Sequence, residues 1–146
     1  MNSAHYKFNI ATAFLWLGFI AAISFMEAWL KFRAPGVTIP IGMSIGKLVF
    51  SALNRMESLF ALGITFNFLI TRPKRFSRIS SIFIFILLIL LIQTFWLLPI
   101  LDLRADARIN NQEIPPSFHH LYYIILEMIK TIALTIFGIL NLKQVK

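Results

Sequence analysis

The 146-residue sequence contains no cysteine. Disulfides, thiolate nucleophiles, thiolate metal centres and covalent haem attachment are thereby excluded together, since each needs a cysteine sulfur. Charge is scarce too, at 14% of residues, with 6 acids against 14 lysines and arginines. A water-soluble domain carries roughly a quarter charged residues, so this chain lacks the means to coat a surface facing water. Nor does any stretch alternate apolar and polar residues over the ~10 positions of an outer-membrane strand, which argues against a β-barrel. The motifs of P-loop proteins, kinases, serine hydrolases and zinc peptidases are all missing.

What the sequence has in quantity is apolar residues: 58% of the chain is hydrophobic and the mean hydropathy is +0.78. Four runs dominate, over residues 8–31, 48–70, 79–101 and 118–142. Each supplies the ~20 residues that a helix rising ~1.5 Å per residue needs to cross ~30 Å of hydrocarbon. The expected fold is all-α: one polytopic membrane domain over residues 1–146, with four transmembrane helices in a bundle. The first run exceeds the 7 to 15 apolar residues of a typical signal-peptide core and has no clean small-x-small cleavage site, so it reads as helix one.

Orientation follows from the basic residues of the connections. The segment "TRPKRFSR" holds Arg72, Lys74, Arg75 and Arg78 with no acid, and Lys7, Lys143 and Lys146 flank the termini. Positive segments stay inside, so both termini are expected in the cytoplasm and the protein in the inner (plasma) membrane, as a multi-pass protein with lipid as its partner. Lys31, Arg33, Arg104 and Arg108 on the other side blur that asymmetry. The net charge of +8 is accounted for by topology signals and anionic headgroups, with no soluble basic domain to bind nucleic acid.

Between the first two runs, residues 33–47 contain two prolines and three glycines and read as an interfacial loop or a short re-entrant turn. Asp102 to Arg108 are expected to continue helix three beyond the apolar run, and Ser117, after two prolines, is expected to cap helix four. Helix three is the most lipid-like, with Gln93 its polar exception, and is expected to be the least buried or buried through Gln93 alone. Trp96, Tyr122 and Tyr123 fit an aromatic belt. Gly18, Ala21, Ala22 and Ser24, and Ser51, Ser58, Ala61 and Gly63, suggest close packing of helices one and two.

The informative residues are polar groups that no loop can hold. Charge inside a bilayer costs on the order of 2.5 to 3.5 kcal/mol per residue, so such groups should turn inward and find partners. Lys47, Phe50, Asn54, Glu57 and Ala61 recur at steps of three and four on helix two; His120, Tyr123, Glu127, Lys130 and Leu134 do so on helix four; Ser24, Glu27 and Lys31 do so on helix one. Three stripes, all in the outer half, imply one shared polar pocket built from Glu27, Asn54, Glu57, His120, Tyr123, Glu127 and Lys130. Two carboxylates in low dielectric must share a proton, pair with Lys130 or Arg55, or bind a metal ion, for which Glu27, Glu57, His120 and Glu127 are the candidate ligands. A salt-bridge network of Glu57, Glu127, Lys130 and Arg55 that merely fixes helix packing is the plainest of these roles. His119 and His120 point ~100° apart on a helix, so one should face the pocket and the other the interface.

The segments "FMEAWLKFRAP", "GKLVFSALNRMES" and "FHHLYYIILEMIK" resemble a group of small, uncharacterised four-helix bacterial integral membrane proteins of the hypothetical-protein class. That resemblance implies the fold and brings no activity with it. The residues themselves suggest proton-linked transport or solute binding, with Glu57 and Glu127 titrating against Lys130. The alternatives are a membrane-embedded enzyme in which His120 is either a general base held by Glu127 or a metal ligand, and a non-catalytic accessory subunit docked onto a larger membrane complex; a homo-oligomer is the other partner the reading allows.

Overall fold

A computed structural model describes residues 3–72 and 77–145 of the chain. Of the orientation signals, Lys74, Arg75 and Lys146 lie outside the described residues. Four long helices, here α1 (Ser3–Arg33), α2 (Ile39–Thr71), α3 (Arg78–Ile109) and α4 (His119–Leu142), account for the described fold, and no strand occurs among the described residues. Three of them, α1, α3 and α4, are long and apolar enough to cross a membrane, as expected of a multi-pass membrane protein. The 33 residues of α2 provide the length, but Asn54, Arg55, Glu57 and Asn67 interrupt its apolar character.

The start of α2 departs from the sequence expectation. Residues 39–47, read as loop, are helical and continuous with the rest of α2. The residues that suggested a loop serve the helix in other ways. Thr38 caps the first turn by accepting the Ile41 N–H, and Pro40 sits in that turn, where a missing N–H costs nothing. Gly42 and Gly46, one turn apart, are contact surfaces: a Cβ on Gly42 would overlap the Phe32 ring, and one on Gly46 would lie 2.9 Å from the Lys31 ammonium. The true turn is at Gly36, whose φ of +82° favours a residue without Cβ.

Two helices contain a widened turn. In α1, residues Ala21–Glu27 are π-helical and end with the Ala28 N–H reaching back five residues to Ile23. In α3, Gln93–Leu97 are π-helical and the Leu98 N–H reaches Gln93 in the same way. Pro99 follows directly; its ring would press on the preceding turn of a regular helix, and the widened turn accommodates it. Beyond it α3 runs on through Asp102 and Arg108 to Ile109, as the sequence implied. At α4, Phe118 occupies the cap position without a side-chain bond, so Ser117 does not fill the capping role expected of it.

Helices α1 and α2 pack together, as their small residues implied, and α1 lies against α4 as well; α3 lies against α4 and, through its second half, against α2. The small residues picked from the sequence divide: Ala61 is buried in the core, but Gly18, Ala21 and Ala22 are exposed, and Ala13, Ala133 and Gly138, which were not picked, are buried. Phe14 packs so closely on Gly138 that a Cβ there would be 3.2 Å from its ring. Nor is α3 buried through Gln93 alone, because Phe83, Ile86, Ile89 and Leu90 form a continuous buried stripe with it. Trp96 and Tyr122 are exposed, in keeping with a belt, but Tyr123 belongs to the core.

Candidate functional site

Three of the polar stripes do converge. Lys130 of α4 lies between the carboxylates of Glu57 on α2 and Glu127 on its own helix, and all three side chains are fully or almost fully buried. Its ammonium is paired with Glu57 Oε1, lies 3.0 Å from Glu127 Oε2 and donates to Gln93 Oε1 at 2.6 Å. Gln93 completes the bridge by donating its amide to Glu127 Oε2 at 2.6 Å. The Trp16 indole donates to Glu57 Oε1 at 2.9 Å, and Ser24 donates to Glu127 Oε1 at 3.1 Å. Every helix thus contributes at least one group.

Two features of this cluster bear on function. The first is charge: two carboxylates share one ammonium, and Glu57 Oε2 is buried with no hydrogen-bond partner. The second is backbone. Ser24 lies inside the π-helical stretch of α1 and Gln93 opens that of α3. Both therefore reach Glu127 from widened turns, a feature that recurs at functional sites in helical proteins.

The other candidates divide. Asn54 donates to Thr94 Oγ1 at 2.8 Å, tying α2 to the widened turn of α3. Glu27 pairs with Lys31 at 3.1 Å, one turn away, and its Oε1 has no partner. His120 is exposed and borders a cavity, whereas His119 packs edge-on to the Trp96 and Tyr122 rings, each at 6.3 Å. Arg55 is a correction: it is exposed on the outward stripe of α2 and takes no part in the network. The candidate metal ligands Glu27, Glu57, His120 and Glu127 are also not gathered; no group of three acid or imidazole side chains with metal-binding spacing occurs among the described residues. Lys130 takes the place between the carboxylates that a cation would need, and Glu27 is engaged with Lys31 instead. Glu127 binds Ser24, Gln93 and Lys130, so it does not hold His120 as a general base.

The cavity, of about 420 Å³, lies between the end of α1, the first turns of α2, the end of α3 and the start of α4. Tyr123, one helical turn from Glu127, forms part of its wall and meets Phe50 edge-to-face at 5.7 Å. At the rim Lys47 bonds Asp106 at 2.6 Å, a contact that holds its ammonium above the usual lysine range.

Sequence reasoning missed a second polar layer. Toward the chain termini, Asn67 donates to Asn9 Oδ1 at 2.7 Å, and Asn9 donates to Asn141 Oδ1 at 2.9 Å, linking α2, α1 and α4. His5 Nδ1 lies 2.6 Å from Asn67 Oδ1. The available signal was a single asparagine near the terminal end of each of three apolar runs, uncharged and so outside a search for ionisable groups. Between the two layers lie Ala13 on α1, Ala61 and Ile64 on α2, and Leu134 and Phe137 on α4, all buried. Ten residues of α2 separate Glu57 from Asn67, which at the rise of a helix is about 15 Å of apolar packing.

Compared with protein-family models, curated proteins and solved structures, the chain matches none.

Proposed function

We propose that the protein is a proton-linked solute-binding or transport protein of the inner membrane, in which all four helices cross the bilayer as one bundle with both termini in the cytoplasm. The observation that carries this reading is the unpartnered Glu57 Oε2 in a cluster of two buried carboxylates and one ammonium. An uncompensated charge at that depth is costly, and a proton on the carboxyl pair removes the excess. Tyr123, one helical turn from Glu127, lines the cavity, so the cluster lies next to the cavity wall on one side. Toward the termini the apolar layer closes the other side. A buried ionisable cluster beside a cavity on one side and closed by apolar packing on the other is an arrangement that alternating access can use. The orientation rests on the sequence: the two terminal segments and the connection between the second and third apolar runs hold seven of the fourteen basic residues and no acid, whereas the other two connections hold five basic residues together with Asp102, Asp106 and Glu113.

The test is infrared spectroscopy of the purified protein in lipid across a pH titration. A protonated-carboxyl band that titrates in the wild type, and that is lost in Glu57→Gln with unchanged helix content and elution, is the expected result. Absence of such a band in a folded wild-type protein overturns the proton reading.

A second reading, that of an accessory subunit, draws on Arg55. An exposed guanidinium halfway along α2 favours a neighbouring helix that offers a carboxylate. A larger assembly in mild detergent that dissociates in Arg55→Leu supports it; a wild-type protein that is always solitary rules it out.

A further inference from the structure

The cavity itself identifies the class of molecule that fits it. Its walls include Phe32, Phe50, Leu98 and Leu101, while Lys31, Lys47, Arg104 and Arg108 line it against the single acid Asp102. Its size falls within the ~300 to 1,000 Å³ of small-molecule sites, which combine apolar walls with a few placed polar groups.

Several of those polar groups have unused capacity. The Tyr123 hydroxyl is buried, with the residue 3% exposed, and has no hydrogen-bond partner. A buried hydroxyl left unpaired costs ~1–3 kcal/mol, which a ligand acceptor would recover. Arg108 makes no ion pair among the described residues. The Lys31 side chain is only 8% exposed, and its ammonium lies 5.6 Å and 5.4 Å from the Phe32 and Phe50 ring centres. The neighbouring glycines allow this: Lys31 and Phe32 rest directly on Gly46 and Gly42. The Lys31 charge is already paired with Glu27 at 3.1 Å, so Lys31 is a fixed part of the wall and Arg108 is a cation left without an acid among the described residues.

We infer that this cavity binds an anionic amphiphile, a carboxylate or phosphate head on an apolar body, with the head at the Arg104 and Arg108 guanidinium groups, the Tyr123 hydroxyl donating to it and the body against Phe32, Phe50 and Leu101. This deepens the solute-binding reading above by naming the class of solute. The chemistry is shared by a free organic acid and by the headgroup of an anionic lipid, and the site is independent of whether the carboxyl cluster carries a proton.

The experiment uses the full-length protein in phosphatidylcholine nanodiscs, titrated calorimetrically with octanoate and with neutral 1-octanol. Saturable octanoate binding that weakens about tenfold or more in Arg108→Gln and in Tyr123→Phe, falls with added salt, and is unchanged in Lys143→Gln at the far end assigns a free organic anion. Native mass spectrometry provides the second arm: retention of phosphatidylglycerol over phosphatidylcholine, lost in the same two variants, assigns a lipid headgroup. Octanol binding as well as octanoate, or neither anion depending on Arg108 and Tyr123, overturns the inference. The infrared band is scored separately, so anion binding without a titrating carboxyl removes only the proton reading, and a titrating carboxyl without anion binding removes only this one.

Discussion

Lys130 governs the electrostatics of the interior. It is fully buried and contacts Glu57, Glu127 and Gln93 at once. Removing one member of a buried ion pair typically costs on the order of 3–5 kcal/mol, because the charge left behind is uncompensated, whereas replacing the whole set by apolar or neutral groups is often tolerated. Lys130→Met is therefore expected to lower thermal stability by that amount, measured by the melting of helix circular dichroism in detergent. The triple variant Glu57→Gln, Glu127→Gln, Lys130→Met is expected to recover most of the loss. A Lys130→Met protein as stable as the wild type would show that the ion pairs are not what holds the carboxylates in the core. At this scale the sequence was informative: ionisable groups in apolar runs at helical spacing identified Glu57, Glu127 and Lys130, since the bilayer leaves such groups few options. It failed for Arg55, only two residues from Glu57 but on the opposite side of the helix, because adjacency in sequence is not adjacency on a helical face.

Among the elements, α3 shows how one inserted residue can serve two purposes. The π-helical turn at Gln93–Leu97 accommodates Pro99 and brings Gln93 and Thr94 to Glu127 and Asn54. A π turn behaves as a one-residue insertion in an α-helix, so deleting the exposed Phe95 should restore regular winding without moving either buried face out of register. The prediction is that this deletion destabilises the protein while Pro99 is present, by roughly the 3 kcal/mol of a proline inside a helix, and that adding Pro99→Ala recovers most of it. Thermal melts of the two variants decide the matter; equal stability would mean that the widened turn does not accommodate the proline. Glycine and proline misled the reading of residues 39–47 for a related reason. Both residue types break helices in isolation, but Pro40 lies in a first turn and Gly42 and Gly46 lie under Phe32 and Lys31, and neither role is visible without the neighbouring segment.

For the molecule as a whole, the proposed topology makes a direct prediction, helped by the lack of cysteine. Single cysteines placed at Gln112, Ser77 and Gln144 would be the only thiols in the chain. With four crossings, Gln112→Cys reacts with a membrane-impermeant maleimide on intact cells, whereas Ser77→Cys and Gln144→Cys react only after permeabilisation. Labelling of Ser77→Cys and Gln112→Cys from the same side would remove α3 as a span in this topology. The assembly also explains why a helix as polar as α2 is accommodated: Glu57, Asn67 and Asn54 each meet a partner on another helix, while Leu59, Leu62 and Phe66 face outward.

The sequence by itself determined the class of the protein and the faces of its helices. Length and hydropathy act locally, residue by residue, and the steps of three and four that put Glu57 with Ala61, or Glu127 with Lys130, are a property of one helix. Tertiary structure alone decided what those faces meet: Trp16 and Lys130 at Glu57, widened turns from α1 and α3 at Glu127, and an asparagine layer linking α1, α2 and α4. Each of those contacts joins residues more than thirty positions apart, and their pairing depends on the rotation, tilt and winding of whole helices. No periodicity within a single helix records those quantities.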